Sequence, residues 1–168
     1  MIRIPDALRA AMIAAFPPRP ITKVMINEPS GRWWNYEKRN ELEPELAGRM
    51  WTELDGQFIE THATALCCAG DETFGALLPA YLAYLLEHDA YNEVPFHVAR
   101  QLTFDGDDPV DTRIFQARIA LLGSEQRVVI ARVMEQLSMR PPMESVMTAA
   151  LETWKNLPGG EASTSSNH

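Results

Sequence analysis

The sequence predicts an all-α fold: a compact single-domain bundle of six to eight helices, with one short extended segment near residues 21–26. Three observations carry this. Apolar residues recur at three- and four-residue spacing along most of the chain. Proline, glycine and capping residues punctuate those runs. Only 21-ITKVMI-26 is short and β-branched enough to suggest extended backbone. The length, 168 residues, suits one domain, placed at 1–157, with PGGEASTSSNH giving a disordered tail over 158–168.

The elements follow in order. A first helix over about 5–16 puts Leu8, Met12, Ala15 and Phe16 on one face, and Pro17, Pro18 and Pro20 end it. Pro29, Ser30 and Gly31 make a turn. Residues 35–49 are charged and helix-prone, with Pro44 in the first turn of a helix starting near Glu43 and Gly48 closing it. Thr52 or Asp55 caps a helix carrying Leu54, Phe58 and Ile59.

Asp71 supplies an N-cap for 74-FGALLPAYLAYLLEH-88, whose Pro79 has two solutions. Either one helix runs from about 72 to 88 with a kink, or a short helix ends near Leu77 and a second begins at Pro79. Gly75, four residues back, would ease the crowding. Leu78, Leu82, Leu85 and Leu86 form one stripe, and Tyr81, Tyr84 and His88 another, so this helix is central. Helices over 94–102, about 112–121 and 125–137 (capped by Ser124) follow. The last, about 142–156, has a seam of Met143, Val146, Met147, Ala150, Leu151 and Trp154.

The segment ELAGRMWTELDGQFI…DETFGALLPAYLAYLLEH, with the later SEQRVVIARVMEQL, resembles an uncharacterised family of small bacterial proteins, a domain of unknown function. The pattern pairs a tryptophan after a Gly-Lys/Arg step with a Phe…Leu-Pro-x-Tyr-Leu stretch and a helix with glutamine near its start. Here these positions are Gly48, Trp51, Phe74, Leu78, Pro79, Tyr81, Leu82 and Gln126. The resemblance covers roughly 42–137 and implies a helical domain. It implies no activity.

The net charge of −8 is unevenly distributed. Residues 1–40 carry seven basic and three acidic groups. Residues 41–111 carry fifteen acidic groups against Arg49 and Arg100, and no Lys or Arg lies between 50 and 99. Residues 112–168 are nearly balanced. Such a field repels phosphate backbones and draws basic partners. No run of eighteen apolar residues occurs, so no membrane helix is expected. Asp6 and Arg9 interrupt the apolar part of the N-terminal stretch, which reads as an amphipathic helix and not a leader, with the chain in the cytoplasm. Cys67 and Cys68 read as reduced, half-buried thiols.

Tests for chemistry return little. No histidine pair has zinc-protease spacing around Glu93-His97 or the 87-EHD-89 run, and 105-DGDDPVD-111 fails the calcium-loop pattern. Cys67 or Cys68 with His62 as base lacks the electropositive setting a reactive thiol needs. No cofactor or metal is implied.

The composition therefore points to a non-catalytic inhibitor that binds a basic protein. The concrete form expected is an immunity protein neutralising a bacterial toxin, with a nuclease effector as one target. It would use neither nucleic acid nor membrane. The candidate contacts are Glu41, Glu43, Glu45, Asp55, Glu60, Asp105, Asp107, Asp108 and Asp111, with Trp33 and Trp34 as anchors. The alternatives are a metal-dependent enzyme and a regulatory or structural homo-oligomer.

Overall fold

A computed structural model describes residues 6–26, 34–89, 91–104, 109–141 and 143–157; of 34–36 and 109–111 it describes the backbone alone. The tail expected over 158–168 and the turn at 29–31 lie outside the described residues. Among those described, nine α-helices and one 3-10 turn make an all-α domain. The helices are α1 (Asp6–Ala15), α2 (Trp34–Leu46), α3 (Gly56–Thr61), α4 (Ala65–Cys68), α5 (Asp71–Glu87), α6 (Val94–Leu102), α7 (Pro109–Leu121), α8 (Ser124–Ser138) and α9 (Glu144–Lys155). The 3-10 turn is Trp51–Glu53.

The helix α5 is the axis of the molecule. Leu77, Leu78, Tyr81, Leu82, Leu85 and Leu86 have no exposed surface, so successive faces are all covered. Helices α3, α4, α6, α7 and α8 and the 3-10 turn pack around it. It runs unbroken through Pro79, which is buried in mid-helix. A proline there costs roughly 3 kcal/mol. Each large apolar side chain buried beside it contributes about 1.5–3 kcal/mol, so packing outweighs the missing rung. Gly75 is not what admits the proline: a Cβ built on it meets nothing within 4 Å.

The outer helices bury the faces that their spacing marks. Leu8, Met12, Ala15 and Phe16 face inward from α1, and α1 packs on α8. Val129, Ile130, Val133, Met134 and Leu137 do so from α8, and Met147, Ala150, Leu151 and Trp154 from α9. Helix α9 lies against both α8 and α6.

The ends are closed by named donors, as buried helix termini require. After α1, the Ala15 carbonyl accepts from Gln126 Nε2 (3.1 Å) and the Phe16 carbonyl from Trp51 Nε1 (2.8 Å). Trp154 Nε1 donates to the Leu102 carbonyl at the end of α6 (2.8 Å). Arginines serve three more C-termini. Arg140 donates to Leu86 of α5 (2.7 Å). Arg127 donates to Ile119 and Leu122 at the end of α7 (2.9 and 3.0 Å). Arg118, only 2% exposed, donates to Leu66 and Ala69 at the end of α4 (3.2 and 2.9 Å) and lies over the Phe74 ring.

The extended stretch 21–26 has a single bridge, Ile26 to Ala69. It is laced to two loops: Ile21 exchanges backbone bonds with Arg49 and Gly48 (both 2.9 Å), and Met25 bonds Gly70 and the Thr73 hydroxyl (2.8 and 2.7 Å). Gly48 follows α2 with φ +77°, the left-handed cap that favours glycine. At Gly70 a Cβ would stand 3.0 Å from Met25 Cβ, so the close crossing of the two segments favours glycine.

Several boundaries differ from the sequence reading. Helix α2 starts at Trp34, and Pro44 sits in its last turn, not in a first turn near Glu43. The position four residues back, Asn40, is exposed, so a lost rung there opens to solvent. The single helix read after Asp55 is two, because the His62 carbonyl at the break accepts from Ala65 N–H (2.8 Å) and from the buried Tyr81 hydroxyl (2.5 Å). This split brings the count to nine. Asp71 and Ser124 are first helical residues, with Gly70 and Gly123 in the cap positions. At Gly123 the N–H is held by the Gln126 side chain (3.0 Å).

Candidate partner-binding cleft

A cleft of about 530 Å³ opens where α3 passes the C-terminal end of α5. Its walls are Glu60, Tyr84, Glu87, His88, Asp89, Tyr91 and Asn92. Helix α5 ends at Glu87, so 88, 89, 91 and 92 belong to its exit and can turn back toward α3. Glu60 comes from the exposed side of α3, which is oriented by its N-cap: Asp55 Oδ1 accepts from Phe58 N–H (2.9 Å).

The floor is ordered by one tyrosine. Tyr84 donates its hydroxyl to Glu60 Oε1 (2.6 Å) and accepts from Asn92 Nδ2 (2.8 Å). Asn92 Oδ1 in turn accepts from Val94 N–H at the start of α6 (3.1 Å). The His88 ring stacks on Tyr84, with centroids 4.5 Å apart and planes at 18°. His88 Nδ1 lies 3.0 Å from the Tyr84 carbonyl, which only accepts, so this nitrogen carries the proton. Burial, and then the bond to Glu60, push the Tyr84 hydroxyl above its ordinary range and keep it a neutral donor. Tyr91 stands at the rim, 83% exposed. Arg9 of α1 meets Glu87 Oε1 at the edge (3.2 Å).

Three carboxylates, from Glu60, Glu87 and Asp89, thus converge with two tyrosines and a histidine in one concavity. A cation entering it meets negative charge and ring faces, the two groups that attract guanidinium and ammonium.

Among the described residues, Glu60 alone of the contacts expected from sequence lines this cleft. Glu41 is exposed on α2 and bound to Lys38 (2.8 Å), which holds its carboxyl below the usual range. Glu43 faces Arg39 (3.5 Å), and Glu45 accepts from the buried His62 Nε2 (3.1 Å). Asp55 is the cap just described. Trp33, Asp105, Asp107 and Asp108 lie outside the described residues, as do the side chains of Trp34 and Asp111. Sequence reasoning missed Glu87, Asp89, Tyr91 and Asn92. The available signal was the Tyr81/Tyr84/His88 stripe, which places the 87-EHD-89 run on the same end of α5 as an aromatic floor.

Among the described residues no group of three His, Cys, Asp or Glu side chains is arranged to hold a metal, and no helix is long and apolar enough to cross a membrane. The imidazole near Cys67 is His97 (3.7 Å); His62, the base considered from sequence, is engaged by Glu45. Both cysteines are free, Cys67 half-buried and Cys68 buried.

Comparison with family models, with curated proteins and with solved structures finds no match for the chain.

Proposed function

We propose that this protein is a non-catalytic inhibitor that binds a basic protein partner, in the manner of an immunity protein neutralising a bacterial toxin, and that the cleft at the end of α5 receives a basic side chain of that partner. The observation that carries the reading is the convergence of Glu60, Glu87 and Asp89 on the Tyr84–His88 stack. Charge supports it: residues 50–99, which supply the cleft, contain no lysine or arginine. Opposed charge steers encounter, and a desolvated cation against carboxylates and rings holds the complex. A toxin that acts on nucleic acid presents a basic groove, so a nuclease is the target this field suits best.

The test uses the full chain as bait in its native host, followed by kinetics on the captured protein. The reading expects a basic partner whose association slows steeply as salt rises, and whose affinity drops by at least roughly tenfold in E87Q/D89N. A partner whose association ignores salt, or that binds E87Q/D89N as well as the wild type, overturns it.

A further inference from the structure

Away from the cleft, α4 and α6 bring a second set of side chains together around a sulfur. Cys67 Sγ lies 3.7 Å from His97 Nδ1 and 3.4 Å from Gln101 Nε2. His97 Nε2 faces Glu93 Oε2, four residues back at the N-cap of α6, at 3.6 Å. The orientation of Gln101 is not arbitrary. Its Oε1 accepts from Arg118, a group that only donates, so the amide must present its N–H to the sulfur. Arg118 is itself pinned by the Leu66 and Ala69 carbonyls, on either side of the two cysteines.

Gln101 donates to Sγ. Glu93 only accepts and stands 3.6 Å from Nε2, an ion-pair distance, so the His97 tautomer that suits these neighbours carries its proton on Nε2 and turns the Nδ1 lone pair toward the thiol. A thiol, an imidazole aligned to take its proton and a carboxylate behind the imidazole make the nucleophile–base–orienter arrangement of activated nucleophiles. The charges that act on the sulfur are Arg100 from α6 and Arg118 from α7, with the His97 imidazole in contact and Glu93 behind that ring. Tyr81 of α5 and Cys68 also face it, with Lys38 of α2 beside Cys68.

We propose that Cys67 is a nucleophilic thiol with His97 as its general base, and that it takes small disulfides, forming a mixed disulfide. Sγ attacks one sulfur of the incoming disulfide while His97 Nδ1 takes the thiol proton. The old S–S bond breaks as the new one forms. The departing thiolate recovers the proton from His97 and leaves as a thiol, so Cys67 is oxidised and the released half reduced, with no outside reagent. Acyl transfer fits less well. It needs donors for an oxyanion, and the Gln101 N–H beside the thiol is engaged with sulfur.

Burial pushes the Cys67 thiol above its ordinary range, so it rests as the neutral form and depends on the base. Cys68 is a built-in control. It is 2% exposed, and burial pushes it up to about 11. A ring disulfide between the two neighbours would be strained, so the mixed disulfide persists.

The experiment treats the protein with glutathione disulfide and follows intact mass, using wild type, C67A, C68A and C68A/H97N, each checked for native circular dichroism. Wild type and C68A are expected to gain one glutathione and C67A none. In C68A the rate at neutral pH is expected to exceed that of an unassisted thiol and to rise less steeply with pH. C68A/H97N is expected to react at least roughly tenfold more slowly at neutral pH, with a rate that keeps climbing with pH. Equal modification of C67A and C68A overturns the proposal. So does an unchanged rate in C68A/H97N, or a native chain that takes no glutathione while the unfolded chain takes two. None of these readouts involves the cleft or its partner.

Discussion

Arg9 of α1 and Glu87 of α5, seventy-eight residues apart in sequence, meet at 3.2 Å on the edge of the acidic cleft. The pair places a resident guanidinium beside the site proposed for a partner's cation. It is half in water, with Arg9 64% exposed, so its worth to folding is about 0–1 kcal/mol. R9A is therefore expected to leave the melting temperature almost unchanged while strengthening binding of a basic partner. Calorimetry on the captured partner, alongside thermal melts, checks both halves; weaker binding in R9A would show that the arginine assists and does not compete.

Tyr84 links the cleft to the scaffold through Glu60 and Asn92. Y84F removes both bonds and leaves the ring stack with His88 in place. A stability loss of about 1–2 kcal/mol is expected, with a larger loss of partner affinity as Glu60 is freed. Urea denaturation and partner binding on the same variant separate the two. If neither changes, Tyr84 does not order the floor.

The glycines give contrasting expectations. G70A drives a Cβ to 3.0 Å from Met25 Cβ, against backbone that cannot yield cheaply, and is expected to destabilise by about 1–3 kcal/mol. G75A meets nothing and sits inside α5, so it should stabilise by about 0.5–1 kcal/mol. Chemical denaturation of the two variants decides the matter, and a destabilised G75A would restore the idea that Pro79 requires a glycine there.

Trp154 fills the α6–α9 seam and donates to the Leu102 carbonyl. W154F keeps most of the packing and orphans that carbonyl, for about 1–2 kcal/mol; W154A adds a cavity, for about 3–5 kcal/mol. Equal losses in the two would mean that the indole bond, and not the ring, holds the seam.

Alkaline pH tests the buried thiols. Cys68, Cys67 and Tyr84 are all raised by burial, so the unfolded chain gives up these protons first. Their contribution is therefore full below the ordinary thiol range and lost as pH rises toward about 11 for Cys68. Stability measured under reducing conditions should be flat with respect to these groups up to about pH 8 and then fall, each group adding a slope of up to about 1.4 kcal/mol per pH unit. C68A should fall less steeply. An identical decline in wild type and C68A would locate the effect elsewhere.

Much of the fold was legible because helical periodicity is local. The stripes Leu8/Met12/Ala15 and Val133/Met134/Leu137 sit where spacing alone puts them, and Asp55 and Gly48 act as the caps their types suggest. What failed depended on contacts made at a distance. The break between α3 and α4 rests on the Tyr81 hydroxyl, nineteen residues away, reaching the His62 carbonyl. The cap of α8 is shifted by a side chain, Gln126, that also holds α1. The site was less legible still. Counting carboxylates gave equal weight to Glu43, which faces Arg39, and to Glu60, which lines a cleft. Only packing distinguishes them.

Arg118, Arg127 and Arg140 give their guanidinium hydrogens to main-chain oxygens at the ends of α4, α7 and α5. Every residue has such an oxygen, and it neither titrates nor changes when a side chain is replaced. The framework's own polar clasps are thus written largely in backbone, while Glu60, Glu87 and Asp89 stand on its outside. Substitution can re-letter that outer face, one carboxylate at a time, without reopening the interior.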